Sequence, residues 1–303
     1  MSKFEKPEMP YQNDKQNKQT EMNIQWFPGH MTKARRMIEE NLKLVDAVCE
    51  IIDARIPYSS RNPDLDALLK GKQRLIILNR EDQADPGATK RWVNSFKSGG
   101  LAVLEINSKS GRGIDGFPGA ARLLLREKIA HYTSTGQSGR RIRFMVVGIP
   151  NVGKSSFINR AAKRKAVMTS DKPGVTRGKQ WISIDGGIEL LDTPGVLWPK
   201  FEDSIVAENL AFTGAIRDDI LDLETLGAVF MSRMSKLYLR NIAERYKIDI
   251  AEVADGYGLL GKAAKSRGFL LSGGEYDTNR MAAVLLDEFR AGKLGRITLE
   301  LPG

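Results

Sequence analysis

From residue 45 onward, short apolar runs alternate with amphipathic segments. Residues 47–53, 75–78, 101–106 and 142–147 are compact apolar runs that read as strands, and 180–184 and 188–191 follow as two more. Between them, 64–69, 88–96 and 114–129 carry helical spacing, and 156–162 reads as a helix soon after the run 142–147. Alternating strands and helices predict parallel βαβ units, hence a doubly wound α/β domain with a mostly parallel sheet. Ahead of the first strand, Met37, Ile38, Leu42 and Val45 recur at helical spacing.

Past Asp203 the pattern changes. Stretches 223–246 and 278–289 hold helical periodicity with Lys and Arg interspersed, while strand signals fade. An α/β domain over 22–205 and a C-terminal all-helical domain over 206–303 are therefore expected. Residues 1–21, rich in Lys, Gln, Asn and Glu, read as a disordered polar tail. Residues 132–141, polar and glycine-containing, read as a linker, and no repeat of solenoid period is visible.

Composition narrows the class. A chain of 303 residues with 41% hydrophobic content can build two cores of ordinary size. It holds no apolar run long enough to span a membrane, and its polar N-terminus lacks the apolar centre of a signal peptide, so a cytoplasmic protein without membrane contact is expected. The single cysteine, Cys49, sits inside the run 47–53 and reads as a small core residue; one cysteine allows neither an intramolecular disulfide nor a cysteine-built zinc site. A formal charge of +10 favours an anionic partner, with nucleic acid the leading candidate.

The chemistry centres on Gly148-Ile-Pro-Asn-Val-Gly-Lys154-Ser155, which fits the phosphate-binding pattern G-x-x-x-x-G-K-[ST] between a strand and a helix. Glycines there let the backbone turn tightly, and the N–H groups of Asn151, Val152, Gly153, Lys154, Ser155 and Ser156 gather at a helix N-terminus suited to phosphate. Lys154 is placed to reach the β- and γ-phosphates and Ser155 to ligate Mg²⁺. Asp192-Thr-Pro-Gly195 follows a strand about forty residues later, where such proteins put an aspartate serving Mg²⁺ and a glycine N–H meeting the γ-phosphate. Between them, Thr176 stands in a basic loop suited to close on the metal.

A guanine-nucleotide protein also needs a base-reading motif, commonly Asn-Lys-x-Asp, and none follows Gly195. Asn79-Arg80-Glu81-Asp82 instead lies upstream, after the strand 75–78, and Ser108-Lys109 lies after the strand 101–106. Both stand at strand C-terminal ends, the ligand edge of an α/β sheet. Asp82 would pair with guanine, Asn79 would brace the loop, and the stem of Arg80, in place of the usual lysine, would cover the base. The order is base motif, second base loop, P-loop, switch threonine, D-x-x-G, which is a rotated GTPase joined through residues 132–141.

Together with Trp26-Phe-Pro-Gly-His-Met31, Asp53-Ala-Arg-Ile-Pro57 and Ser59-Ser-Arg-Asn62, this order makes the chain resemble the circularly permuted GTPases, most closely those of ribosome biogenesis, from residue 22 to its C-terminal end. The resemblance implies hydrolysis of GTP to GDP and phosphate with Mg²⁺ during late assembly of the large ribosomal subunit. It implies as partners the subunit precursor, with its rRNA and ribosomal proteins, the C-terminal helical domain contacting the RNA; the protein is expected to act as a monomer. Lys236, Arg240, Arg267 and Arg296 are candidate contacts. Two other readings fit the same residues: a GTP-gated RNA-binding module with little turnover, and a P-loop GTPase of tRNA modification.

Water activation needs a further group. Ras-like proteins place a glutamine after D-x-x-G, whereas this chain has Val196, whose side chain can neither donate nor accept a hydrogen bond. Of the two histidines, His131 falls at a helix-to-linker junction, while His30 follows a Pro-Gly turn at a helix start; position and resemblance both point to His30. In similar GTPases an asparagine at the place of Asn151 helps hold a monovalent cation, so potassium is expected beside the phosphates. The expected catalytic set is thus His30, Lys154, Thr176 and Gly195, with Ser155, Thr176 and Asp192 serving the metal.

Overall fold

The structure, a computed structural model, describes residues 30–163, 180–198, 201–249 and 255–303. The polar tail, the Trp26 cluster and the Thr176 loop lie outside the described residues. The α/β part runs α1 (His30–Leu42), β1 (Ala47–Asp53), α2 (Pro63–Leu68), β2 (Gln73–Asn79), α3 (Pro86–Ser98), β3 (Ala102–Glu105), α4 (Phe117–Leu124), α5 (Arg126–Ser134), β4 (Ile142–Val147), α6 (Lys154–Ala161), β5 (Gln180–Ile184) and β6 (Ile188–Asp192). Helices α7 (Ser204–Phe212), α8 (Leu223–Leu237), α9 (Leu239–Tyr246), α10 (Gly256–Arg267) and α11 (Thr278–Arg290) follow.

The sheet order is β3-β2-β1-β4-β6-β5, all parallel except β5, which pairs antiparallel with β6 at one edge. The chain winds outward from β1 to β3 and then returns to lay β4 on the other side of β1. That reversal makes a topological switch point between β1 and β4, and ligands of such sheets sit outside the strand C-termini there. The loop after β4 is the glycine-rich stretch Gly148–Gly153.

Burial on both faces explains the apolar runs. In β4, Phe144 and Val146 join a core with Phe117 and Phe157, while Met145 and Val147 point to the opposite face with Ile38, Leu65 and Val196. Ile52, Ile76 and Leu78 pack with Trp92 and Phe96 of α3. Cys49 is fully buried in the first core, and that burial pushes its thiol well above the usual range. Helix starts are set by side-chain caps: Asn62 before Pro63, Asp85 before Pro86, and Asp203, Asp222, Asp255 and Asp277 in the helical part.

Two expected helices prove to be broken. Residues 114–129 divide into a 3₁₀ turn (Ile114–Gly116), α4 and α5, with Leu125 leaving helical geometry at φ −102°, ψ 16°. Helix α5 continues through Ser134, so the expected linker begins in a helix. Residues 223–246 divide at Tyr238 (φ −141°, ψ 46°), whose hydroxyl donates to Thr298 O at 2.9 Å and accepts from Thr298 N at 3.0 Å. The apolar cluster beneath the sheet runs on into the helices through Phe212, Phe230 and Phe289, whose rings meet edge-on and tilted with centroids 4.9 and 4.8 Å apart. Gly256 lets α10 meet α8 backbone to backbone, since a Cβ there would fall 1.9 Å from Ala228 O.

Candidate functional site

The stretch after β4 turns into α6 through Gly153, at φ 101°. A Cβ on Gly153 would lie 2.3 Å from Asn79 Nδ2, so the turn and the loop after β2 touch with no room for a side chain. Asn79 is 2% exposed and bridges three segments: its Nδ2 donates to Val152 O at 2.7 Å, and its Oδ1 accepts from Ser108 N at 3.0 Å. Three stretches distant in sequence, the loops after β2, β3 and β4, thus meet on one side chain. Asn107 shapes the middle loop by accepting from Lys109 N and Ser110 N, and Ser108 Oγ is buried with no hydrogen-bond partner among the described residues. A buried, unmatched hydroxyl beside the P-loop suits a polar ligand edge.

The ammonium of Lys154 is buried and donates to Gly148 O at 3.2 Å and Ile149 O at 2.8 Å. Burial lowers its pKa to about 8, and the carboxylate of Asp192 works in the other direction. Asp192 ends β6 and is 2% exposed. After it, Thr193 Oγ1 donates to Val146 O at 2.7 Å and Val196 N to Gly148 O at 3.2 Å, laying Asp192–Val196 along the P-loop. A Cβ on Gly195 would fall 2.6 Å from Pro150 Cα and 3.0 Å from Lys154 Nζ. Ser155 and Ser156 stand half-buried in the first turn of α6. Ser155 hydroxyl and Asp192 carboxylate are the hard oxygen donors that Mg²⁺ takes, so these residues fit that ion. Among the described residues no three His, Cys, Asp or Glu gather as a metal cluster.

Other expected residues fall in less simple places. Asp82 is exposed on the loop after β2. Arg80, at φ 62°, sends its guanidinium to Asn151 O (3.0 Å), Arg290 O (3.3 Å) and Asp53 (3.6 Å). Its head group ties the P-loop to the end of α11. Asn151, at φ 57°, donates its amide to Gly214 O at 2.7 Å, a second tie from P-loop to helical part. The backbone of His30 opens α1; its side chain and Thr176 lie outside the described residues. Ile38 of the same helix packs with Val196, so α1 covers the face on which the segment after Gly195 runs. His131 is exposed in the last turn of α5.

The role of the stretch 53–62 shows only in the structure. Arg55 makes two bonds to the Asp53 carboxylate, at 2.9 and 2.7 Å, and a third to Phe289 O at 3.0 Å. Burial opposes the charge on Asp53, but Arg55 and Arg80 outweigh it and hold its pKa below the usual range. Ser59 bonds the wholly buried Glu300, which also accepts from Tyr58 N and Asn209 Nδ2; burial still pushes the Glu300 carboxyl upward. Asn62 Nδ2 donates to Val196 O at 3.1 Å, linking this loop to the residue after Gly195. Two expected RNA contacts, both exposed, also bond within the molecule. Arg267 lies 3.4 Å from Glu288 and over the Tyr246 ring, and Arg296 donates to Glu81 O and Ala84 O. Lys236 and Arg240 are exposed.

Known proteins resemble this chain over most of its length. The family described as 50S ribosome-binding GTPase matches residues 143–241. Ribosome biogenesis GTPase A of Bacillus cereus is 46% identical over 286 residues, covering 93% of this chain and 95% of that protein. The protein of the same name from Thermotoga maritima is 30% identical, covering 92% and 95%. The GNP-bound crystal structure of YlqF from T. maritima superposes with a TM-score of 0.61 at 27% identity, over 89% of this chain and 98% of the other. The GDP-bound structure gives 0.60.

Proposed function

The chain belongs to the ribosome biogenesis GTPase A family and is a circularly permuted GTP hydrolase, and from that premise we propose that it hydrolyses GTP while assisting late assembly of the large ribosomal subunit through contact with rRNA. The observation that carries the nucleotide part is the Asn79 bridge: one buried amide joins the base-reading loop, the Ser108 loop and the P-loop, so guanine and phosphates are gripped as one unit. Asp82 reads the guanine edge, and Lys154 with the N–H groups of residues 151–156 holds the phosphates. Ser155, Asp192 and Thr176 would hold Mg²⁺, and the ion would supply positive charge to the phosphate oxygens. Gly195 N–H meets the γ-phosphate, and the tight approach of Gly195 to Pro150 and Lys154 supports that role.

His30 orients the attacking water. Its support is the absence of a polar side chain at Val196, which is buried in an apolar cluster, and the packing of α1 over that same segment. Asn151 would hold potassium: its amide nitrogen donates to Gly214 O, so its carbonyl end is the end with the chemistry to ligate a cation. Nucleotide state reaches the helical part on one side through Val196 and Asn62, whose loop bonds Asn209 and Glu300 at Ser59, and on the other through Asn151–Gly214. Described helices include none long and apolar enough to cross a membrane, and the proposed place of action is the cytoplasm, as a monomer.

Co-sedimentation tests the assembly role. The GTP-bound protein should travel with precursor large subunits, with binding that weakens steeply as salt rises. A flat salt response would shift recognition from RNA to protein, and recovery with tRNA instead would contradict the assignment.

A further inference from the structure

The loop that carries Asp82 is held from residues more than two hundred positions away. Arg296 Nε donates to Ala84 O at 2.8 Å and Nη2 to Glu81 O at 2.8 Å, while its guanidinium stands 3.9 Å from the Glu81 carboxylate. Ile297 N donates to Gln83 O at 2.8 Å. Thr298 Oγ1 accepts from Asp85 N at 3.0 Å and donates to Ala54 O at 3.3 Å. Backbone groups on both sides of Asp82 are therefore bonded to three consecutive residues. That segment is itself anchored: Tyr238 bonds Thr298 N and O, and Trp92 Nε1 donates to Glu300 O at 2.9 Å. Toward the sheet, the same loop has Glu81 N bonded to Ile106 O at 3.3 Å.

A carboxylate that must accept two N–H groups from one base edge works only within a narrow range of distance and angle. We infer that residues 296–298, and Arg296 foremost, are positioning residues for guanine recognition, holding loop 81–85 so that Asp82 stands at a fixed place against the base. The inference rests on Asp82 being the base reader. It assigns Arg296 inward, to the nucleotide loop, and makes the setting of the guanine site a property of the chain's C-terminal segment.

The test uses full-length protein, fluorescent-nucleotide titration and steady-state kinetics. Arg296→Met keeps the apolar stem and removes both donors. It should weaken GTP and GDP binding about tenfold, the loss expected for charged hydrogen bonds to backbone carbonyls. KM should rise in step while kcat at saturating GTP stays within about twofold. The preference for GTP over ITP, which lacks the 2-amino group that Asp82 would face, should shrink, and Arg296→Lys should restore part of it. Should the Met variant fail to fold, Thr298→Val, which removes the bonds from Asp85 N and to Ala54 O, carries the same readout. Asp82→Asn, measured alongside, should move preference to XTP. A folded Arg296→Met protein with the parent's GTP-over-ITP preference overturns the inference while leaving Asp82 as base reader. An Asp82→Asn protein with the parent's GTP affinity overturns both.

Discussion

Replacing Asn79 by Ala removes a side chain that is 2% exposed and makes two buried hydrogen bonds, to Val152 O at 2.7 Å and from Ser108 N at 3.0 Å. Each such bond contributes about 1 kcal/mol net, and each partner left unmatched in the interior costs about 1 to 3 kcal/mol. Both bonds join loops of the nucleotide site, so much of the loss should appear in nucleotide binding. About 2 kcal/mol in binding is roughly a 30-fold weaker Kd for GDP. Asn79→Asp divides the effect. A carboxylate still accepts from Ser108 N, but it cannot donate to Val152 O and sets a negative charge against that carbonyl, so it should bind GDP no better than the Ala variant. Fluorescent-nucleotide titration, with thermal melting to check folding, measures both. Folded Asn79→Ala protein with the parent's affinity would refute the claim that this amide assembles the site.

Other outcomes follow from the same geometry. Lys154, lowered from 10.5 to about 8 in the folded chain, carries fewer protons there than in the unfolded chain between those values, so its contribution to stability rises with pH across that window. A bound triphosphate favours the ammonium, so GTP binding near pH 8 to 9 should take up a proton and weaken as pH rises; calorimetry in two buffers of different ionisation enthalpy reads this, and zero uptake would contradict it. Turnover should be faster in potassium than in sodium at matched ionic strength, and equal rates would remove the cation from beside Asn151. His30→Ala should keep GTP and subunit binding yet lose roughly 10²- to 10⁴-fold in subunit-stimulated turnover, whereas parent turnover on the particle would leave His30 a structural residue.

What was legible in the sequence was local. The strand, glycine turn and helix around Lys154, and the strand ends before Asn79 and Asp192, are each set by neighbours in the chain. Long-range ties were not. The break at Tyr238 interrupts an unbroken helical period because the ring's hydroxyl serves Thr298, sixty residues on. The start of α10, Gly256-Tyr-Gly258, has poor helix propensity, and its glycine is there for contact with α8. Arg296 and Arg267 read as surface cations, yet their partners are Glu81 O, Ala84 O and Glu288. Nothing near Glu300 in the sequence marks it for burial, yet it lies fully buried against Ser59.

Work on the large ribosomal subunit is the function proposed for this GTPase. GTP hydrolysis measured with and without purified large subunits, at fixed salt and Mg²⁺, tests it most directly. Phosphate should leave slowly from the protein alone and clearly faster with the subunit, with no stimulation by tRNA. Equal rates in the presence and absence of subunits would contradict it.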